Sequence, residues 1–158
     1  MSAIKPLTAL LVAYCCVTTV GATEMKRLET VKQEFQSSGD LTRLEYAFVR
    51  CSSIQMALGA LMLKNGAKDA ADRFQSSALG YLQAATIIHD DTNKQRGVKE
   101  DDSLGALTKS SQMIVRLYVE RMGKNWAISG DYVTSDEQLV KELDLCKDQG
   151  KFIDWMTN

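Results

Sequence analysis

Apolar residues in the first half of this chain recur every three or four positions over two long stretches. The first stretch carries its apolar side chains between Leu41 and Met62, and the second carries them between Ala67 and Ile88. This spacing collects the side chains on one face of an α-helix, whereas a half-buried strand would need alternation at every second residue. The sequence therefore predicts an all-α protein.

Breaks in the apolar pattern predict four main helices and one shorter helix before them. Asp40 is a suitable N-cap, and Gly66 suits the left-handed position that follows a helix end. The short helix is expected over 23–36, the charged stretch 90–102 is expected to form the longest loop, and fraying is expected over 123–130. The main helices are expected at about 41–64, 67–89, 103–122 and 135–149.

Four main helices with short connections favour one bundle. The Asn65-Gly66 connection is typical of a hairpin of two helices, and the single proline, Pro6, lies outside every predicted helix. We therefore expect residues 23–158 to form one domain, an antiparallel four-helix-type bundle with an extra short N-terminal helix.

The N-terminal segment 1–22 has the layout of a secretory signal peptide. A short region with Lys5 precedes the apolar run Leu7–Val20, and Val20 and Ala22 occupy the positions where a signal peptidase requires small residues. The apolar run is shorter than the about 20 residues of a transmembrane helix. We expect cleavage before Thr23, export to a periplasm or to the medium, and no stable membrane insertion afterwards.

The four cysteines fall into two groups. Cys15 and Cys16 lie in the apolar run and should leave with it, whereas Cys51 and Cys146 remain. An even count in an oxidising compartment predicts one disulfide. This bridge would join the first main helix to the last, and these two are neighbours in an up-down bundle.

No sequence motif predicts a catalytic, cofactor or metal site. The single histidine, His89, is followed by two aspartates, which suits either a small acid-base or metal cluster or the charged end of a helix; we favour the helix end. The segment 91–102 lacks the glycine and the bidentate glutamate of a calcium loop. Tyr46 and Arg50 lie close to Cys51 and would form a polar network beside the bridge if they are buried.

The C-terminal segment carries two aromatic residues, Phe152 and Trp155. They either close the end of the bundle or present an interaction surface to a partner. Closure is favoured because terminal apolar residues commonly dock to tie down a chain end.

The charge balance and the lack of catalytic motifs direct the functional hypothesis towards binding. The formal net charge is −1 with interleaved signs, which does not indicate a nucleic-acid partner. We expect a non-enzymatic accessory, inhibitor or immunity-type protein whose partner is another protein, without cofactor or metal. The alternatives are a small-ligand or cofactor carrier with a cavity between helices and, less favoured, an enzyme that uses Tyr46, Arg50 or His89.

The exported protein is expected to have the mass of a chain that begins at Thr23. Two thiols, from Cys51 and Cys146, should react with an alkylating reagent only after reduction. Intact-mass spectrometry before and after reduction checks both expectations. A full-length mass with free thiols would contradict export and the bridge, whereas added mass would indicate a ligand or a lipid.

Overall fold

A computed structural model describes residues 25–99 and 102–158, and these residues form six helices without a strand. The all-α prediction is therefore confirmed, and the packing of the helices is consistent with a bundle. The predicted signal peptide lies outside the described residues. The helices are α1 (Leu28–Ser38), α2 (Leu41–Lys64), α3 (Lys68–Gln95), α4 (Ser103–Ser129), α5 (Glu137–Cys146) and α6 (Gln149–Thr157).

Helix α2 is the centre of the fold and contacts α1, α3, α4 and α5. It begins after Asp40, whose carboxylate accepts a hydrogen bond from the backbone N–H of Thr42 at 3.0 Å. It is long and apolar enough to cross a membrane, yet 72% of its most apolar window is buried within the protein. The core helix of a soluble protein can be equally long and apolar, and the burial shows that α2 is a core helix here.

Small residues bring α3 close to α2. A Cβ atom added at Gly59 of α2 would lie 3.4 Å from the backbone oxygen of Ala71. Ala71, Ala78 and Ala85 recur at intervals of seven along α3, and all three are fully buried. The turn between the helices contains Gly66 with φ +79°, the left-handed conformation that the sequence predicted and that glycine adopts without strain.

Helices α3 and α4 both extend beyond their predicted ends at 89 and 122. Helix α3 continues to Gln95 because Thr92 still faces the core, where its hydroxyl donates to the Ile88 carbonyl at 2.8 Å. Helix α4 continues through Gly123 to Ser129, and Gly130, which has φ +71°, follows as its C-cap. Fraying was expected because a glycine in a helix interior costs about 1 kcal/mol. The helical turns on either side of Gly123 outweigh that cost.

The predicted last helix at 135–149 is two helices in the structure. Asp136 caps α5 by accepting from Leu139 N at 3.0 Å, so α5 begins at Glu137, two residues after the predicted start at 135. Asp148 caps α6 by accepting from Lys151 N at 3.0 Å. The chain bends between these helices, and the C-terminal segment forms a helix of its own.

The disulfide between Cys51 and Cys146 is present and joins α2 to α5. The two Cα atoms are 5.2 Å apart, and both cysteines are fully buried. The bridge therefore fixes the position of a short, late helix against the long central one.

Helix α6 closes one end of the core through Phe152. This residue is fully buried, and its ring centroid lies 5.3 Å from that of Phe48 and 5.7 Å from that of Tyr81 in edge-on contacts. Trp155 is only half-buried and lies beneath Lys32, whose ammonium is 5.0 Å from the ring centroid. Phe152 therefore closes the end of the core, which is one of the two predicted roles. It offers no surface to a partner in this structure.

Replacement of both Cys51 and Cys146 by alanine is expected to lower the free energy of unfolding by about 2–5 kcal/mol. The bridge spans 95 residues, so its loss releases a long loop in the unfolded chain. Urea denaturation followed by far-ultraviolet circular dichroism measures the change. A double variant as stable as the oxidised wild type would contradict the stabilising role of the bridge.

Candidate functional site

Arg50 is fully buried in α2, next to the bridging Cys51. A guanidinium in the core requires acceptors, because an unpaired buried charge is strongly destabilising. Its Nη2 donates to both carboxylate oxygens of Glu142 at 2.7 Å, and its Nε donates to the hydroxyl of Tyr118 at 2.8 Å. Its Nη1 donates to the backbone oxygen of Lys26 at 2.5 Å. Each guanidinium nitrogen therefore has an acceptor.

The carboxylate of Glu142 is equally enclosed, with 2% of its side chain exposed. Besides Arg50, the hydroxyl of Tyr118 donates to Oε2 at 2.5 Å and the amide of Gln138 donates to Oε1 at 3.2 Å. Burial raises the pKa of Tyr118, and Glu142 raises it further while Arg50 opposes the rise. The phenol therefore remains a hydrogen-bond donor at neutral pH. We call Arg50, Tyr118 and Glu142 the buried cluster.

Burial alone would lower the pKa of Arg50, but the interactions of the guanidinium with its neighbours raise that pKa by more. Tyr118 and Glu142 both raise that pKa, so the guanidinium keeps its charge in the core. Its positive charge and the carboxylate of Glu142 compensate each other inside the protein. The arrangement stabilises a junction between helices, and no atom of the Arg50 side chain is presented to solvent.

The bridge explains why the cluster assembles. Arg50 directly precedes Cys51, and Glu142 lies one helical turn before Cys146. On the other side of the bridge, the Gln55 side chain donates to the backbone oxygen of Cys146 at 2.7 Å. Helices α2 and α5 are thus joined by an ion pair, a covalent bond and a hydrogen bond at successive positions along α2.

Sequence reasoning placed Tyr46 and Arg50 in a possible network but missed Glu142 and Tyr118. The structure shows the Tyr46 ring 5.9 Å from the Arg50 guanidinium carbon, at the edge of the network. The signal for Glu142 was its spacing of four residues from Cys146, which puts it on the same helix face. Once the bridge is accepted, that spacing predicts a carboxylate near Arg50.

The favoured prediction that His89 lies at a helix end is wrong, because α3 continues to Gln95, and His89 contacts Glu45 instead. Its Nδ1 lies 3.0 Å from the Glu45 Oε2, and both side chains are largely buried between α2 and α3. Within the described ranges, no group of three or more histidine, cysteine or acidic residues is arranged to hold a metal ion. The histidine therefore joins α3 to α2 in this structure.

A groove of about 420 Å³ opens where α1 meets α2 and α4. Five of its lining residues are apolar or aromatic, and we call them the floor; the other three are charged, and we call them the rim. The floor is formed by Met25, Val31, Tyr46, Ile114 and Leu117. The rim is formed by Lys26, Glu34 and Arg43. Tyr46 lines the groove and its ring also contacts the Arg50 guanidinium, so the groove and the buried cluster share this side chain.

Trp126 and Tyr132 form a stacked pair at the end of α4, with Trp126 exposed and Tyr132 partly buried, which we call the aromatic platform. Their ring centroids are 4.6 Å apart with an interplanar angle of 21°, and Trp126 is 50% exposed. The Asn125 amide donates to the Tyr132 backbone oxygen at 3.1 Å. Arg121 makes two hydrogen bonds of 2.5 and 2.6 Å to Asp136. These contacts fix the connection from α4 to α5 that carries Tyr132.

Comparison with known protein families, curated proteins and solved structures finds no match for this chain. Its function is therefore inferred from the buried cluster, the groove and the aromatic platform.

Glu142→Gln is expected to lower the free energy of unfolding by about 3–5 kcal/mol, because it leaves the charge of Arg50 buried without a counter-charge. Urea denaturation at neutral pH measures the loss. The matched control is Glu137→Gln on the same helix. The Glu137 side chain is 84% exposed and pairs with Lys141 at the surface, so the control should leave the urea midpoint nearly unchanged. Equal stability of the two variants would contradict the structural role of the cluster.

Proposed function

We propose that this chain is an exported, non-enzymatic helical protein that acts by binding another protein, in an accessory, inhibitor or immunity-type role. The observation that carries the proposal is the aromatic platform. Tryptophan and tyrosine are enriched among the few residues that supply most of the energy in protein interfaces. An exposed tryptophan stacked on a tyrosine is therefore a suitable anchor for a partner.

The surroundings of the platform favour binding because they hold it in place. The hydrogen bonds of Asn125 and Arg121 restrain the backbone under the rings. A preorganised surface loses little conformational entropy when a partner docks. Val119 lies two turns before Trp126 on the same face of α4, and the intervening Gly123 leaves that face open. The apolar surface thus extends along the helix.

The buried cluster supports a non-enzymatic role. Arg50 and Glu142 combine charge and hydrogen-bonding capacity in the core, as catalytic groups often do. Both are enclosed, however, and they satisfy each other, so a reactant would have to separate the helices to reach them. Their contacts are those of a structural ion pair.

Export is supported by the disulfide together with the N-terminal sequence. Disulfides persist in oxidising compartments such as a periplasm or the extracellular medium, and they are rare in a reducing cytosol. The signal-peptide layout of residues 1–22 indicates the same compartments.

The second candidate function is a small-ligand carrier, and the groove between α1, α2 and α4 favours it. Its volume of about 420 Å³ lies within the range of small-molecule sites, about 300–1,000 Å³. The two functions are compatible because the groove and the platform have no residue in common.

Trp126→Ala is expected to weaken binding of the partner by about 30-fold or more, the equivalent of a hot-spot residue. The assay immobilises wild type and variants, exposes them to the exported proteins of the native host, and quantifies the retained proteins by mass spectrometry. A retained protein is then purified, and its dissociation constant is measured by calorimetry.

Ile128→Ala is the matched control, because Ile128 is an 86% exposed apolar residue near the end of the same helix. It lies about 200° around the helix axis from Trp126, so its loss should leave binding unchanged. Equal affinity of both variants for the partner would contradict the platform. Turnover of a substrate that is lost when an interior polar residue is replaced would contradict the non-enzymatic role.

A further inference from the structure

We propose that the groove between α1, α2 and α4 binds an anionic amphiphile, a molecule with one apolar chain and a carboxylate head group. The inference does not rest on the protein-binding role proposed above, because it uses other residues. It defines the ligand chemistry of the carrier function from the floor and the rim of the groove.

The floor suits an apolar chain. Val31 is almost completely buried, while Met25, Ile114 and Leu117 are partly buried and leave apolar surface in contact with solvent. Covering that surface with an alkyl chain removes it from water, which is favourable roughly in proportion to its area. The residues come from three different elements, so the floor exists only in the folded protein.

One wall of the groove is fixed by the buried cluster. The backbone oxygen of Lys26 accepts from Arg50 at 2.5 Å, and the Tyr46 ring lies over the same guanidinium. The segment before α1 and the tyrosine are therefore held in position before any ligand arrives. A preformed site binds with a smaller entropic cost than one that must order itself.

The rim carries two cations around one carboxylate. Lys26 Nζ lies 2.5 Å from Glu34 Oε1, and Arg43 Nε lies 3.2 Å from Glu34 Oε2. The hydrogen bond from Lys26 lowers the pKa of Glu34, so this carboxylate is charged at neutral pH. An amine that approached Glu34 would meet both cations, whereas a carboxylate would be attracted by them.

Arg43 is the group best placed to receive the head group. Its Nη atoms make no hydrogen bond within the part of the chain that the structure describes, and its side chain is 45% exposed. A second carboxylate, Asp40, lies 3.9 Å from its Nε, but Asp40 accepts from the backbone N–H and the hydroxyl of Thr42. The planar fork of an arginine matches a carboxylate, which it binds through two parallel hydrogen bonds.

The pairing of Arg43 with Glu34 is incomplete, which leaves the arginine available. The Oε2 atom of Glu34 is buried and accepts no hydrogen bond within the described chain, although Arg43 Nε is 3.2 Å away. The contact therefore lacks the geometry of a hydrogen bond and does not hold the guanidinium in one orientation. Arg43 can turn towards an entering carboxylate without breaking a hydrogen bond to Glu34.

The test is calorimetric titration with decanoate below its micelle-forming concentration, with decanol as the uncharged probe of equal chain length. The protein is expressed from the full chain, and intact mass defines its N-terminus and its oxidised bridge. We expect saturable binding of one decanoate per chain, at least tenfold tighter than binding of decanol. Absence of saturable decanoate binding, or equal affinity for the two probes, would overturn the proposal.

Two variants locate the binding site. Ile114→Trp fills the groove and should abolish decanoate binding, whereas Met113→Trp, at a neighbouring position that is 63% exposed, should retain it. Arg43→Gln should weaken decanoate binding at least fivefold and leave decanol binding unchanged, whereas Lys109→Gln, an exposed charge on α4 outside the groove, should change neither.

Retention of wild-type affinity by Ile114→Trp or by Arg43→Gln would place the amphiphile elsewhere and overturn the proposal. Circular dichroism establishes first that each variant is folded. Arg43 is an exposed side chain, so its replacement decides the test even if Ile114→Trp does not fold.

Discussion

The charge of Arg50 in the core is the constraint on which the rest of the structure depends. It is tolerated only where Glu142, the Tyr118 hydroxyl and the Lys26 carbonyl all reach it. These groups belong to α5, to α4 and to the segment before α1, so one guanidinium requires three separate parts of the chain to meet on α2. A packing that displaced any of them would leave an unpaired charge in the core, at a cost of about 3–5 kcal/mol.

The disulfide and the buried cluster complement each other. The covalent bond reduces the number of conformations open to the unfolded chain, whereas the ion pair and its hydrogen bonds discriminate between packings of the folded one. Both act at the same place, because Cys51 follows Arg50 and Cys146 lies one turn beyond Glu142. The groove and the aromatic platform lie on surfaces that this junction positions.

The helical architecture and the bridge could be predicted from the sequence, because periodicity and cysteine count report directly on burial and on redox compartment. Helix ends were predicted less well: a polar residue such as Thr92 continues a helix when it faces the core. The buried cluster could be predicted only in part, because charged residues make up 25% of the chain and most of them are solvated. The spacing of four residues from Cys146 was the one local feature that distinguished Glu142, and it points to Arg50 only if the bridge is assumed. The stacking of Trp126 on Tyr132 depends on a loop conformation that no periodic pattern encodes.

The depth of the bridge has a kinetic consequence. A thiolate must approach a disulfide sulfur directly to cleave it, and both bridging cysteines have no exposed surface. Reduction therefore has to wait until α5 separates from α2, which also breaks the Arg50–Glu142 pair. Each free thiol that appears under reducing conditions therefore identifies a molecule in which the junction between α2 and α5 has already opened.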